Sequence, residues 1–212
     1  MLSSDTDCRL CPRLHRHLLK VRQDYPEYHA RPVPSFGEEQ PRLLIVGLAP
    51  GMHGANATGR PFTGDHAGIL LYKTLFDFDL SSQPVSTHLQ DGLILNDCRI
   101  TNAVRCLPPE NKPTGDEIRT CNPFLQTELQ RVSCGDLILT LGRIAHNAVL
   151  KALGLKQRDL PFGHNRLYEL PDKRWLLNSY HCSRYNTQTR RLTEKMFADV
   201  FKTAVDLLKI EN

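Results

Sequence analysis

Short apolar runs alternate with segments of helical periodicity along most of the chain. Residues 42–47 form the first apolar run, which indicates a buried strand and leads into a glycine-rich loop. Residues 65–78 follow that loop, and their apolar positions recur at helical spacing. The same alternation predicts further strands at 99–104, 136–141, 166–170 and 175–179, and further helices at 114–132, 143–153 and 193–208.

This alternation predicts an α/β fold in three layers, with a central, mostly parallel sheet of about four strands flanked by helices. Parallel sheets bind ligands at the carboxyl ends of their strands. The segments richest in candidate catalytic and ligand-binding residues follow residues 47, 101 and 180, so all three fall at predicted strand ends. We expect one domain over 1–212, in which 1–41 is an amino-terminal segment with a proline-rich linker and 42–212 is the α/β core.

The composition is that of an ordinary soluble globular protein, with 40% hydrophobic and 24% charged residues. No apolar run approaches the roughly 18 residues that span a membrane, and the first 30 residues lack the apolar centre of a secretory signal. We therefore expect a cytoplasmic protein without a membrane partner. The net charge of +4 suits a polyanionic partner but is also common in proteins that bind none.

The chain has seven cysteines. Stable disulfides are rare in a reducing compartment, so a Cys-x-x-Cys pair there indicates metal or redox chemistry. Cys8 and Cys11 form such a pair, while Cys106 and Cys121 lie fifteen residues apart in mid-chain. Four thiolates can hold zinc or an iron–sulfur cluster, and the wide spacing of the second pair favours the larger guest. The alternative is that Cys8 and Cys11 are ordinary thiols and that the other cysteines are buried small residues. The cysteines expected to be ordinary buried residues are Cys98, Cys134 and Cys182.

The loop at 47–65 is too rich in glycine and polar residues to be core. Its glycines remove side chains where the backbone must bend or approach a ligand, and the helix that follows offers free N–H groups. No Gly-Lys-Ser/Thr follows, which argues against the nucleotide chemistry of a P-loop.

The chain resembles the iron–sulfur uracil-DNA glycosylases, most closely family 5, and the resemblance covers nearly its whole length. The motifs that carry it are GLAPG and TGRPFTGD at 47–51 and 58–65, AVRC and PPENKPT at 103–106 and 108–114, and H, NTQT and RLT at 181, 186–189 and 191–193. The resemblance implies a uracil-DNA glycosylase-like fold whose amino-terminal segment binds a cluster. It also implies a structural [4Fe-4S] cluster, without a redox step, on Cys8, Cys11, Cys106 and Cys121.

The resemblance implies an activity as well. The enzyme would flip uracil, and other deaminated bases such as hypoxanthine, out of double- or single-stranded DNA and hydrolyse the N-glycosidic bond, leaving an abasic site. It would act as a monomer on nucleoid DNA. A non-enzymatic iron–sulfur or zinc protein that binds nucleic acid through the same basic loops is the alternative that the residues leave open.

Base binding falls on two of the motifs. Phe62 matches the position that stacks on the flipped uracil, and the alternative for it is simple core packing. The amide of Asn102 can donate to uracil O4 and accept from N3–H, which matches family 4 better than family 5. Gly47, Ala49 and Gly51 would let the backbone approach the base.

The catalytic candidates are His181, Asp65 and Asn111. A neutral His181 can donate to uracil O2 as negative charge develops on the leaving base. Many glycosylases carry a carboxylate or asparagine after the first glycine, but Leu48 stands here, which implies a dissociative path stabilised electrostatically. Asp65 would stabilise the cationic sugar or orient water, or it would cap the helix that it precedes. Asn111 would contact sugar or water, or serve a turn.

Basic and wedge residues are expected to face DNA. The loop after His181 carries Cys182 where the family usually has proline, and it could push Arg184 or Tyr185 into the duplex. Arginines would contact phosphates and make binding salt-dependent. The predicted DNA contacts are Arg60, Ser183, Arg184, Tyr185 and Arg191, with Arg190 and the basic residues Arg13, Arg16, Lys20 and Arg22 beside the first cysteine pair as further candidates.

Overall fold

A six-stranded mixed sheet lies at the centre of the computed structural model, which describes residues 7–210. Its strands run in the order β1-β3-β2-β4-β6-β5. They are β1 (Phe36–Gly37), β2 (Leu43–Gly47), β3 (Cys98–Asn102), β4 (Leu137–Leu141), β5 (Arg166–Glu169) and β6 (Trp175–Ser179).

The four inner strands are parallel, which confirms the predicted sheet. Their side chains alternate between two buried faces, so that Leu43 and Ile45 of β2 face one side while Leu44 and Val46 face the other. The structure adds antiparallel pairing at both edges. Edge strand β1 comes from the segment expected to be a linker, and its two residues are too few to show a periodicity.

Helices cover both faces of the sheet. The helix α3 packs with α7 on one face and α4 packs with α5 on the other, so the fold has the predicted three layers. The helices are α1 (Pro12–Asp24), α2 (Ala55–Thr58), α3 (His66–Asp77), α4 (Gly115–Leu129), α5 (Arg143–Ala152), α6 (Arg184–Gln188) and α7 (Glu194–Ile210), with a 3₁₀ turn at Pro109–Asn111. None of these helices is long and apolar enough to cross a membrane.

The start of α4 shows how local sequence sets an element boundary. Thr114 accepts a hydrogen bond from the Glu117 N–H, and the Glu117 carboxylate accepts one from the Thr114 N–H, a reciprocal capping box. The same carboxylate forms an ion pair with Arg13 at 2.7 Å. The cap of α4 therefore also holds the amino-terminal helix α1.

The helix α1 attaches the first cysteine pair to the rest of the fold. Leu14, Leu18 and Val21 recur at helical spacing and are buried against Val104 and Phe124. This periodicity was available in the sequence, but the neighbouring cysteines and charges obscure it and the helix was not predicted. Because α1 begins directly after Cys11, its packing places both cysteines of the pair beside the loop that carries Cys106.

Candidate active site

A cavity of about 560 Å³ opens at the carboxyl ends of the inner strands. Gly47 and Asn102 are register neighbours at the ends of β2 and β3, and Leu141 and Ser179 are neighbours at the ends of β4 and β6. The predicted site residues that line this cavity are Ala49, Gly51, Phe62, Asp65, Asn102, Asn111, His181, Ser183, Arg184 and Arg191. Segments far apart in sequence thus meet at the edge of the sheet where ligands bind in such folds.

Gly47 provides the space in which two predicted base-binding side chains come together. A Cβ added at Gly47 would lie 2.4 Å from Asn102 Oδ1 and 2.7 Å from Phe62 Cζ. Real atoms do not approach so closely, so only glycine permits this arrangement at the strand end. Phe62 itself has φ +57 and is 6% exposed, so it both lines the cavity and packs in the core.

Asn102 carries an unsatisfied acceptor. Its side chain is 6% exposed, and its Oδ1 atom has no hydrogen-bond partner within the described part of the chain. A buried carbonyl oxygen without a donor is costly, by about 1–3 kcal/mol. A ligand that brings an N–H group into the cavity would remove that cost.

Asp65 caps α3 and also faces the cavity. Its Oδ1 accepts a hydrogen bond of 2.9 Å from the Gly68 N–H. A Cβ at Gly54 would lie 2.7 Å from Oδ2, so the carboxylate is held tightly against the glycine-rich loop. Desolvation raises its pKa, and the bond from Gly68 opposes that rise. Asp65 can therefore cap α3 and face the cavity in the same conformation.

His181 follows β6 and sits beside Phe62. The two rings are nearly parallel, at 28°, with centroids 6.0 Å apart. Desolvation lowers the pKa of His181 to about 4, so the ring is neutral near pH 7. The Asn186 side chain donates to the His181 carbonyl at 2.8 Å, and fully buried Cys182 anchors the loop.

Asn111 lies at the exposed rim of the cavity. It has φ +57 and follows Glu110 at φ +55, so two successive residues adopt the left-handed conformation that asparagine tolerates well. The turn role weighed for Asn111 is therefore part of the structure, and its side chain also lines the cavity.

Arg60 corrects one prediction, because its side chain is only 2% exposed and cannot reach a phosphate. Its guanidinium pairs with Asp91 at 2.7 Å, donates to Ser86 Oγ and the Leu89 carbonyl, and lies 4.4 Å from the centroid of Phe36. The residue instead ties the loop after α3 to the glycine-rich loop.

The other predicted DNA contacts lie on or near α6. Ser183 is its N-cap, while Arg184 and Arg191 line the cavity. Tyr185 is 70% exposed and lies outside the cavity lining. Arg13, beside the first cysteine pair, is already engaged by Glu117.

The sequence reasoning missed several residues of the cavity wall. Gly142 and Arg143 follow β4 directly, and their place after a predicted strand was a signal that could have been used. Phe162 and Tyr180 complete the wall. Phe162 stands in a loop without a recognisable motif, so only the tertiary fold reveals it.

The four predicted ligand cysteines meet in a second, small pocket of about 20 Å³. Cys8, Cys11, Cys106 and Cys121 line it and are all free thiols. Burial raises the pKa of Cys11 to about 11, and burial also raises the pKa of Cys106. Among residues 7–210, no group of three or more His, Cys, Asp or Glu side chains that could hold a metal ion was found.

The chemistry of this donor set nevertheless fits an iron–sulfur cluster, which takes four thiolates in an apolar enclosure. Leu14, Val104 and Phe124 supply the enclosure, and the Arg105 N–H donates to Cys121 Sγ at 3.4 Å. Hydrogen bonds to sulfur are among the features that tune such sites. Of the three remaining cysteines, Cys98 and Cys182 are buried as expected, whereas Cys134 is exposed.

A parallel sheet whose carboxyl edge forms a cavity with an aromatic ring, an unsatisfied amide and a neutral histidine suits the recognition of a base. The sequence profile of the uracil DNA glycosylase superfamily matches residues 34–205. The chain therefore belongs to the uracil DNA glycosylase superfamily.

Relatives with an assigned type indicate where the chain stands within the superfamily. The chain is 47% identical over 204 residues to the type-5 uracil-DNA glycosylase of Thermus thermophilus, covering 94% of this chain and 93% of that one. It is 45% identical over 213 residues to the type-5 enzyme of Mycobacterium tuberculosis, with 96% and 79% covered. A type-4 enzyme of Saccharolobus solfataricus is 28% identical, with 82% and 76% covered. Within the superfamily the chain groups with the type-5 enzymes.

A solved structure supports the fold alone. The crystal structure of Pedobacter heparinus SMUG2 superposes with a TM-score of 0.50 at 15% identity, covering 92% of this chain and 85% of the other.

Proposed function

We propose that this protein excises uracil from DNA by flipping the nucleotide into the 560 Å³ cavity and hydrolysing its N-glycosidic bond. The observation that carries the proposal is the buried, unsatisfied Oδ1 of Asn102 beside Phe62 and a neutral His181. Uracil has an N–H donor between two carbonyl oxygens, which complements an amide that presents both an acceptor and a donor.

Recognition then follows from the walls of the cavity. Asn102 Oδ1 accepts from uracil N3–H, its amide group donates to O4, and Phe62 stacks on the ring. Gly47, Ala49 and Gly51 keep the backbone side of the cavity free of bulky side chains.

The leaving base is stabilised by His181. As the glycosidic bond breaks, negative charge develops on uracil O2, and a neutral imidazole N–H strengthens its hydrogen bond there without a proton transfer. A ring held neutral by desolvation is a suitable donor for this purpose.

The sugar side of the reaction relies on Asp65 and Asn111. Apolar Leu48 lines the cavity at the position where many relatives place a water-activating group, which supports a dissociative path. Asp65, next to the glycine-rich loop, would stabilise the oxocarbenium ion or orient water, and Asn111 at the rim would contact the sugar or the water.

DNA is held by the loop after His181. Arg184 and Arg191 contact phosphates, Ser183 orders the turn, and exposed Tyr185 fills the gap left by the flipped base. Single strands need no wedge, so both single- and double-stranded DNA are substrates. The enzyme would act as a monomer on nucleoid DNA in the cytoplasm.

Cys8, Cys11, Cys106 and Cys121 would hold a [4Fe-4S] cluster. Bound there, such a cluster would cross-link the amino-terminal segment to the loop beyond Asn102, which is a structural role. Cys106 follows Asn102 by four residues. A cluster that orders the loop of Cys106 would therefore also support the cavity wall that contacts the base.

The test is a glycosylase assay with the cluster-loaded protein on single- and double-stranded oligonucleotides that carry one uracil. Alkali treatment should nick the uracil strand at that position and leave a thymine control intact. Binding without any abasic product would overturn the proposal and leave a non-enzymatic DNA-binding protein. Hypoxanthine in the same oligonucleotide tests whether the cavity also takes a deaminated purine.

A further inference from the structure

Three arginines that line the cavity have no ionic partner among residues 7–210. The guanidinium groups of Arg143, Arg184 and Arg191 form no ion pair or hydrogen bond within the described residues, whereas Asp65 is the one carboxylate of that lining. Arg60, by contrast, is neutralised internally by Asp91. The cavity wall therefore carries positive charge that is available to an anionic ligand.

Arg143 is the arginine on the wall formed by β4 and α5. Its guanidinium carbon lies 5.9 Å from the centroid of Phe162, a distance at which a cation is attracted to a ring face. Phe162 is itself held by edge contact with buried His146, at 5.6 Å, and by Tyr180, at 6.1 Å. The ring is thus anchored to the core, and it restrains an otherwise exposed arginine.

The backbone next to Arg143 contacts the end of β6 and the start of the loop that carries His181. Gly142 donates to the Ser179 carbonyl at 2.8 Å, and a Cβ added at Gly142 would lie 3.3 Å from His181 Cβ. Arg143 is therefore placed one residue from the contact with the histidine that faces the base. The phosphates nearest to a base beside His181 are those that flank its nucleotide, so these are the candidate ligands of Arg143.

We infer that Arg143 binds one of the two phosphodiester groups that flank the flipped nucleotide, and that Phe162 is its positioning residue. A guanidinium can stack on an aromatic ring and still direct its N–H groups toward phosphate oxygens, which an ammonium does less well. The inference rests on the proposed function, because it takes the ligand of the cavity to be DNA.

The first experiment measures binding of a duplex that contains a tetrahydrofuran abasic analogue, by fluorescence anisotropy over a range of salt concentrations. Arg143→Ala should weaken binding about 10-fold at low salt and reduce the slope of log K against log salt by about 1. Arg143→Lys should retain the slope and recover only part of the affinity. Lys151→Ala is the matched control, since it removes one positive charge from the opposite end of α5 and should leave the slope unchanged.

A second experiment locates the phosphate. One flanking phosphate at a time is replaced by an uncharged methylphosphonate in the same duplex. One of the two replacements should weaken binding to wild type and to Lys151→Ala, yet have no further effect on Arg143→Ala. Phe162→Leu should reduce affinity with little change in slope, and its thermal unfolding midpoint reports whether the fold survives.

The inference is overturned if each methylphosphonate weakens the binding of wild type and of Arg143→Ala to the same extent. It is also overturned if Arg143→Ala has the same salt slope as wild type. The proposed function is checked separately by uracil excision with wild type. An active wild type with an unchanged Arg143→Ala slope would reject the phosphate contact alone, whereas an inactive wild type would reject the glycosylase assignment.

Discussion

At the scale of single residues, the site depends on groups whose chemistry is incomplete without a ligand. Asn102 has a buried acceptor with no donor among residues 7–210, and His181 has a ring kept neutral by desolvation. Gly47 is what allows the amide and Phe62 to meet. These features could not be read from residue types, because each depends on what surrounds the side chain.

Replacing Asn102 by Ala should lower kcat/KM for uracil DNA by about 10- to 100-fold, since the base loses its paired hydrogen bonds. Single-turnover kinetics measure this effect. Asn147→Ala, on α5 and outside the cavity lining, is the control and should have wild-type kinetics. A wild-type rate for Asn102→Ala would remove this residue from base recognition.

Replacing His181 by Asn should lower kcat by about 100- to 1,000-fold with little change in DNA affinity. It should also change acid stability. The folded pKa of about 4 lies below the ordinary 6.5, so the unfolded state binds the proton first and His181 costs stability as pH falls from 6.5 to 4. Urea unfolding at pH 7 and pH 4.5 should therefore show a smaller loss for His181→Asn than for wild type. An equal loss in both proteins would contradict the lowered pKa.

At the scale of elements, the sequence was most informative where a hydrophobic period coincides with a clear boundary signal. The strand at 175–179 was predicted with its observed bounds, and the helix predicted from residue 114 has Thr114 as its N-cap. The amphipathic helix α1 and the short α6 were missed. A five-residue helix inside a polar loop has too few turns to show a period, and its Ser183 cap becomes visible only in the fold.

Arg60 shows that a charged side chain expected to contact DNA can instead be neutralised inside the fold. Burial raises the pKa of Asp91, but Arg60 and three backbone N–H groups outweigh it and hold that pKa below its ordinary value. Arg60→Ala would leave Asp91 buried and unpaired, and should destabilise the fold by about 3–5 kcal/mol. Urea unfolding measures the loss, and the double variant Arg60→Met with Asp91→Asn should recover part of it. The salt dependence of DNA binding should stay unchanged, and a smaller slope would restore Arg60 as a DNA contact.

The helix α6 presents Tyr185 to solvent. Tyr185→Ala should reduce excision from duplex DNA about 10-fold and leave single strands unaffected, because only a duplex requires the gap to be filled. Tyr185→Phe keeps the ring and should behave like wild type. Equal losses on both substrates would argue against a wedge.

At the scale of the whole molecule, long-range contacts connect the cysteine pocket to the sheet. Glu128, buried on α4, pairs with Arg99 at 2.6 Å and with Arg105 at 2.9 Å. Arg99 belongs to the strand that ends at Asn102, and Arg105 directly precedes Cys106. A single carboxylate thereby links the base-reading strand to the cysteine-bearing loop.

Replacing Cys106 by Ser should remove the brown colour and bound iron of the purified protein, and it should lower the thermal unfolding midpoint because the cross-link is lost. Iron analysis and visible absorption measure the outcome. The matched control is Cys134→Ser, which changes an exposed thiol outside the pocket and should keep the full iron content. Full iron content in Cys106→Ser would contradict the predicted ligand set.

The sequence by itself determined the parallel α/β core, the three loops that carry the chemistry and ten of the residues that line the cavity. It could do so because hydrophobic period and motif order are local properties that survive without coordinates. Only the tertiary structure decided that Arg60 is internal, that Arg143 and Phe162 belong to the cavity wall, and that Asn102 Oδ1 finds no donor in the described part of the chain. Exposure and hydrogen-bond partners are set by contacts between distant segments, so the pattern of residues along the chain does not contain them.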